Sequence, residues 1–210
     1  MKRLDLIASL LKGYDVAVDI GSDHGYVLKY ALDNNYIKRG IASEIAEGPL
    51  NNAKSNLKDY PVTFYLSDGF DKINEKFDIG IISGMGVYTI MDILSKAPQA
   101  EYLLQPNDKH EILRDYLSKN NFQIIDEHIT FDKFFYIVIH VKPGVEILSE
   151  EDIYLGPKLK HKKEARKYYK LKLSQLNEIY QKCDTKTKEK ISKYINLLKG
   201  VITWNLYLDF

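Results

Sequence analysis

Cysteine is almost missing from this chain: Cys183 stands alone among 210 residues. A single thiol forms no intrachain disulfide and no structural zinc site, so no metal site is expected. Long hydrophobic runs are missing too. No apolar stretch approaches the ~20 residues that cross a bilayer, so no membrane association is expected. The N-terminal residues lack the order of charged, apolar and small segments that marks a secretory signal. Residues 1–11 read instead as a short amphipathic helix, and the chain reads as cytoplasmic. An excess of one charge sign is also lacking, since 30 basic residues face 29 acidic ones. The balance conceals an asymmetry. Residues 158–200 hold 14 Lys and Arg against 4 Asp and Glu, and the remainder holds 16 against 25. An acidic body with a basic arm implies an anionic partner for the arm.

What is present first is alternation. Residues 16–20, 40–43, 62–66, 78–82, 102–104, 122–125 and 134–141 read as strands. Residues 26–34, 50–57 and 111–119 have helical spacing. Such alternation predicts an α/β domain whose seven-stranded sheet is mostly parallel, with helices on both faces. The last two strands are joined by a short loop and are expected to pair antiparallel at one edge. Lys142-Pro143-Gly144 interrupts the pattern, which divides the chain into domains 1–144 and 145–210. In the second domain Leu155, Leu159, Lys162, Arg166, Tyr169, Leu173, Leu176, Tyr180 and Cys183 recur at spacings of four and three. Ile191, Ile195, Leu198, Ile202 and Asn205 repeat the rhythm, and Asp184-Thr185 is placed to cap a second helix. Two long helices forming an antiparallel, coiled-coil-like hairpin are expected.

The strongest local signal is Asp19-Ile20-Gly21-Ser22-Asp23-His24-Gly25, after a strand and opening a helix. Glycine lets the backbone turn sharply and approach a ligand. A dinucleotide site places its second glycine against pyrophosphate. Asp23 occupies that middle position, where a carboxylate repels pyrophosphate but suits a sulfonium carrying an amino acid. Glu44 ends the second strand, near the position from which an acidic residue usually binds a ribose diol. Asp68-Gly69 follows the third strand; either it meets an adenine amino group or it is an ordinary turn. Gly84-Met85-Gly86 follows the fourth strand and suits an adenosine wall. Gln105-Pro106-Asn107 follows the fifth. All five lie at carboxyl ends of strands, the edge where open α/β sheets bind ligands.

In this order, Asp19-Ile20-Gly21-Ser22-Asp23-His24-Gly25-Tyr26, Glu44-Ile45-Ala46-Glu47-Gly48-Pro49, Asp68-Gly69, Gly84-Met85-Gly86 and Gln105-Pro106-Asn107 resemble the TrmK family. These are bacterial tRNA (adenine-N1)-methyltransferases acting on position 22. The resemblance covers residues 3–144 and extends into the helical C-terminal domain. It implies a class I Rossmann-like methyltransferase fold, S-adenosylmethionine as methyl donor and tRNA as partner. It places Asp19, Gly21, Ser22, Gly25, Glu44, Ile45, Asp68, Gly69, Gly84 and Met85 at the cofactor. Asp23 is the first candidate for contacting the adenine edge, with Asn107 second and His24 and Tyr26 to orient or stack on the base. N1 carries a ring lone pair that attacks the methyl carbon directly, so positioning is the expected source of rate. The adenine must be unpaired or flipped out.

Lys158, Lys160, Lys162, Lys163, Arg166, Lys167 and Lys170, with Tyr168 and Tyr169 among them, suit phosphates and stacking. Arg3 is placed with them as a further RNA contact. The arm folds back on itself and requires no partner copy, so a monomer is expected. Three competitors remain open. A small-molecule methyltransferase needs the same edge but no basic arm. A non-enzymatic RNA-binding scaffold needs the arm but no acidic strand ends. A nicotinamide oxidoreductase is disfavoured by Asp23.

Overall fold

A computed structural model describes residues 2–207 of the chain. They divide into two compact units, residues 1–146 and 147–210. Met1 and residues 208–210, the outer limits of the two expected domains, lie outside the described residues.

The first unit opens with helix α1 (Arg3–Ser9), whose Leu6 and Ile7 enter the core. Seven strands then build one sheet: β1 (Val16–Ile20), β2 (Arg39–Glu44), β3 (Val62–Leu66), β4 (Ile79–Met85), β5 (Glu101–Pro106), β6 (Phe122–Phe131) and β7 (Phe135–Pro143). Their order is β3-β2-β1-β4-β5-β7-β6. β1 through β5 are parallel, and β7 runs antiparallel to both β5 and β6. Helices α2 (Tyr26–Asp33), α3 (Glu47–Asn56), α4 (Val87–Ser95) and α5 (His110–Lys119) connect the strands.

The central strands are apolar because both faces are covered, as parallel sheets require. Val18, Ile41, Ile79, Ile81 and Leu103 have no solvent exposure. Gly80 in β4 admits no side chain, because a Cβ there would stand 2.5 Å from the Tyr102 ring. The order reverses direction between β1 and β4, which opens a crevice at their carboxyl ends.

Two features of this unit differ from the expectation. Helix α4 was not expected, although Val87, Ile90 and Leu94 follow a helical period and are all buried. Strand β6 extends to Phe131 instead of residue 125, because its ladder with β7 continues past a register shift between Ile124 and Asp126.

In the second unit, α6 (Glu150–Leu155) is capped by Ser149, whose hydroxyl accepts from the Asp152 amide at 3.1 Å. The unit continues through two 3-10 turns, Leu159–His161 and Lys163–Ala165, into α7 (Arg166–Lys182) and α8 (Thr185–Tyr207). α7 and α8 pack together across a two-residue connection, Cys183 and Asp184. The expected first long helix therefore starts at Arg166 instead of near Leu155. Gly156 (φ 99°) takes a backbone conformation outside the helical region, and Pro157 supplies no N–H. Glycine and proline together stop α6, so Leu159 and Lys162 fall outside any long helix. Asp184 accepts from the Thr187 amide at 3.0 Å and caps α8.

Candidate functional site

The crevice is built by the loops that leave β1, β2, β3, β4 and β5. After β1 the chain turns at Gly21 (φ 72°), and the Gly21 and Ser22 amides both donate to the Ser43 carbonyl, at 2.9 and 3.3 Å. This hydrogen bonding ties the first loop to β2. Ser22 donates its hydroxyl to the buried Asp19 carboxylate at 3.0 Å. Burial pushes the Asp19 carboxyl up to about 7, and the nearby Glu44 charge adds to the rise; Ser22 and Arg3 act in the opposite direction. Glu44 is buried and accepts from the Asp23 amide, so its carboxylate braces the turn from β2.

Asp23 itself has φ 49°, a left-handed conformation that aspartate tolerates better than most residues. Its side chain is 64% exposed and lies 3.7 Å from His24 Nε2. The His24 and Tyr26 rings stack with centroids 5.3 Å apart. Gly25 (φ 70°) caps α2, and the space a Cβ would need is filled by Leu57. Its role is therefore in helix packing, and it lines neither cavity of the crevice.

Two cavities meet at Gly21. One, of about 200 Å³, is lined by Asp19, Ser22, Asp23, His24, Tyr26 and Gly84, among others, and also by Arg3. The other, of about 160 Å³, is lined by Glu44, Ile45, Asp68, Gly69 and Met85, with Thr89 and Asp92 from α4. Met85 packs its terminal methyl over Gly21, where a Cβ would collide. Ser43 donates to the Gly69 carbonyl at 3.1 Å, which joins the second strand end to the third. Asn107 lines neither cavity. Its amide side chain donates to the Gly84 carbonyl at 3.1 Å and its backbone N–H to the Met85 carbonyl at 2.9 Å, so it lies beside the first cavity.

The arrangement fits an adenosyl group carrying an amino acid. Gly21 allows backbone approach, and Asp19 and Glu44 offer acceptors to an ammonium and to hydroxyls. Met85 supplies a soft, adjustable wall between the two spaces. Arg3 was expected at RNA, yet it lines the first cavity. Thr89 and Asp92 were missed because α4 was missed. Among the described residues no group of His, Cys, Asp or Glu could hold a metal ion.

The residues expected at RNA in the second unit differ in exposure. Lys163, Lys167 and Lys170 are exposed. Lys158, Lys162 and Arg166 are half-buried. Lys160 is bound to Glu151 and Asp152, each at 2.8 Å.

The family profile described as tRNA (adenine(22)-N(1))-methyltransferase matches residues 17–201. A Mycoplasma pneumoniae relative is 35% identical over 170 residues, covering 75% of this chain and 80% of its own. A Bacillus subtilis protein named tRNA (adenine(22)-N(1))-methyltransferase is 33% identical over 138 residues, 61% of this chain and 58% of its own. Among solved structures, the B. subtilis m1A22 tRNA methyltransferase TrmK superposes with a TM-score of 0.82 at 28% identity, covering 96% of this chain and 97% of its own. The Mycoplasma capricolum TrmK, solved with S-adenosylhomocysteine, gives 0.83 at 25% identity and 97% coverage of both chains.

Proposed function

Because the chain belongs to the TrmK family of tRNA (adenine(22)-N(1))-methyltransferases, we propose that its glycine-lined rim holds S-adenosylmethionine beside N1 of adenine 22 in tRNA. The observation that carries this reading is the meeting of two cavities at Gly21, with Asp19 in one and Glu44 in the other. S-adenosylmethionine supplies an electrophilic methyl group when bound. Glu44 accepts from the ribose hydroxyls with the carboxylate oxygen not committed to the Asp23 amide. Asp68 and Gly69 flank the adenine of the cofactor, and Ile45, 71% exposed, packs against its face. Asp19 faces the ammonium.

The target base enters past the exposed Asp23, His24 and Tyr26. Asp23 accepts from the N6 amino group, which orients the N1 lone pair and favours the positive charge that develops on the ring. Asn107 presents a second polar group to the base edge. The His24–Tyr26 stack offers it an aromatic face. No covalent enzyme intermediate is required, so rate comes from alignment of two reactants.

The second unit supplies affinity. Lys167 and Lys170 lie three residues apart on α7, Lys163 lies in the turn just before it, and all three are exposed, which suits a run of phosphates. No helix among the described residues is long and apolar enough to cross a membrane. We take the protein to act as a cytoplasmic monomer. Incubation of the full chain with methyl-labelled S-adenosylmethionine and unmodified tRNA, followed by nucleoside mapping, tests the reading. Label in 1-methyladenosine is expected; label confined to any other nucleoside, or no transfer, would refute it.

A further inference from the structure

The hairpin that joins β6 to β7 ends in aromatic side chains that line neither cavity of the crevice. Phe131 is 59% exposed and Phe134 69%, whereas the other described phenylalanines are buried or half-buried. The Phe135 ring stands against Phe131, with centroids 4.9 Å apart. The Asp132 amide donates to the Phe134 carbonyl at 3.1 Å, which closes the turn.

The fold explains why these rings are uncovered. β6 runs in the direction of β5, because β7 is antiparallel to both, so the hairpin leaves the sheet at the edge that carries the crevice. Ile139 stands opposite Leu104, and β5 continues for two residues beyond that point. Phe135, opposite Phe131, lies four residues beyond it, so the β6–β7 ladder passes the end of β5 by roughly 7 Å before it turns. The helix layer also stops early. Arg114 of α5 pairs with Glu127, and His110, where α5 begins, stands only about 6 Å nearer this edge. Phe131, four residues after Glu127 on the same face of the sheet, stands about 13 Å nearer.

A groove joins the hairpin to the crevice. It has a volume of about 320 Å³ and is lined by Arg3, Leu4, Asp132 and Tyr136, with Lys2 and Asp5. Arg3 and Leu4 also line the cavity beside Asp19, and the Arg3 guanidinium carbon lies 5.5 Å from the Tyr136 ring centroid. Lys2 and Lys133 are exposed here, but Asp5 and Asp132 offset them, so the rings and not the charges set the character of this surface.

The reaction proposed for the crevice creates a need that these rings meet. An adenine presented at N1 leaves its stack, and the bases beside it lose a stacking partner. His24 and Tyr26 offer a face to the extruded adenine itself. Every base has a π-face that an aromatic side chain can take up, and apolar side chains that enter a base step hold it open. We infer that Phe131 and Phe134 stack on the nucleotides flanking the target adenine of tRNA, so that the β6–β7 hairpin keeps the gap open while the adenine occupies the crevice. The inference rests on the proposed methylation of tRNA.

Two experiments on the full chain test it. In the first, Phe134 is replaced by the photo-reactive p-benzoylphenylalanine and irradiated with unmodified tRNA. Crosslinks are expected within about three nucleotides of adenine 22, roughly 10 Å of stacked bases. Crosslinks confined to remote nucleotides, or to a second copy of the chain, overturn the inference. In the second, the double variant Phe131→Ala with Phe134→Ala is expected to lower kcat/KM for tRNA about 10-fold or more, the scale of a lost base–aromatic stack. Affinity for S-adenosylhomocysteine stays at the wild-type value, and tRNA affinity keeps its salt slope because no charge is removed. Phe134→Tyr retains activity, while Phe134→Leu, which keeps apolar area without a π-face, loses it. Undiminished methylation in the double variant, full activity in Phe134→Leu, or an equal loss of cofactor affinity overturns the inference. If wild type transfers no methyl group to tRNA, the reading on which the inference rests fails and takes the inference with it.

Discussion

Asp19 and Asp23 lie four residues apart, yet one is buried and the other exposed. Asp19 is buried, and its carboxyl is pushed up to about 7 by loss of water. For an acid raised in this way, the folded state binds the extra proton. Its contribution to stability is therefore complete below the unfolded value near 4 and lost as pH rises through about 7. A cofactor ammonium favours the ionised form, so binding expels that proton. Affinity for S-adenosylhomocysteine is expected to weaken by up to about tenfold per unit as pH falls below about 7. Titration calorimetry between pH 5.5 and 8 checks this, and Asp19→Asn should flatten the dependence. Asp23 is exposed, and its carboxylate is available to a base. Asp23→Ala should lower turnover about 100-fold or more while S-adenosylhomocysteine affinity stays within about twofold. Asp23→Asn tolerates the same left-handed backbone, so it separates loss of charge from loss of the turn. Single-turnover assays read both. At this scale the acidic positions were legible in the sequence, because a glycine turn after an apolar strand narrows the roles open to the polar residues beside it. Arg3 was not legible. Its three-dimensional neighbours, Gln105 and Tyr136, are more than a hundred residues away.

The elements explain why other features were read correctly or missed. The half-exposed edge strand β3 was legible from its β-branched and aromatic residues, whereas strands β1, β4 and β5 could be found because parallel strands buried on both faces appear as apolar runs. Helix α4 was hidden by the same property. Its sequence, with Val87, Ile90, Ile93 and Leu94 buried, looks like one more apolar run after β4. The arm was misread where Gly156-Pro157 breaks the four-and-three spacing, since periodicity alone continued across a stop that the backbone obeys. Arg114 of α5 and Glu127 of β6 form an ion pair at 2.7 Å with side chains 2% and 0% exposed. This pair fastens a helix to the antiparallel edge of the sheet. Removing one partner strands a charge in the core, so Glu127→Ala should lose about 3–5 kcal/mol in urea denaturation. A loss under about 1 kcal/mol would mean that water reaches Arg114 and the pair does not hold this edge.

On the scale of the whole molecule, charge is partitioned along the chain. Residues 158–200 carry ten more basic than acidic groups, while the formal total is only +1. Phosphate binding releases counterions, so affinity for tRNA should fall linearly with salt on logarithmic axes. Replacing Lys163, Lys167 and Lys170 with alanine should reduce that slope by about one unit for each phosphate left without its lysine. Filter-binding titrations across salt concentrations check the change, and cofactor affinity should be untouched. The charge partition was visible in composition; Lys142-Pro143-Gly144 suggests a boundary after residue 144, and the compact units divide after Glu146. The identity of the target nucleotide was not visible in composition or spacing. It rests on family membership.

The most direct measurement is primer extension across tRNA after incubation with the intact protein and S-adenosylmethionine. Methylation at N1 blocks the Watson–Crick edge and halts the polymerase. A stop at adenine 22 that needs the methyl donor, and that disappears with Asp23→Ala, is the expected result. Read-through at adenine 22, or a donor-dependent stop at another position, would contradict the assignment of this crevice to adenine N1.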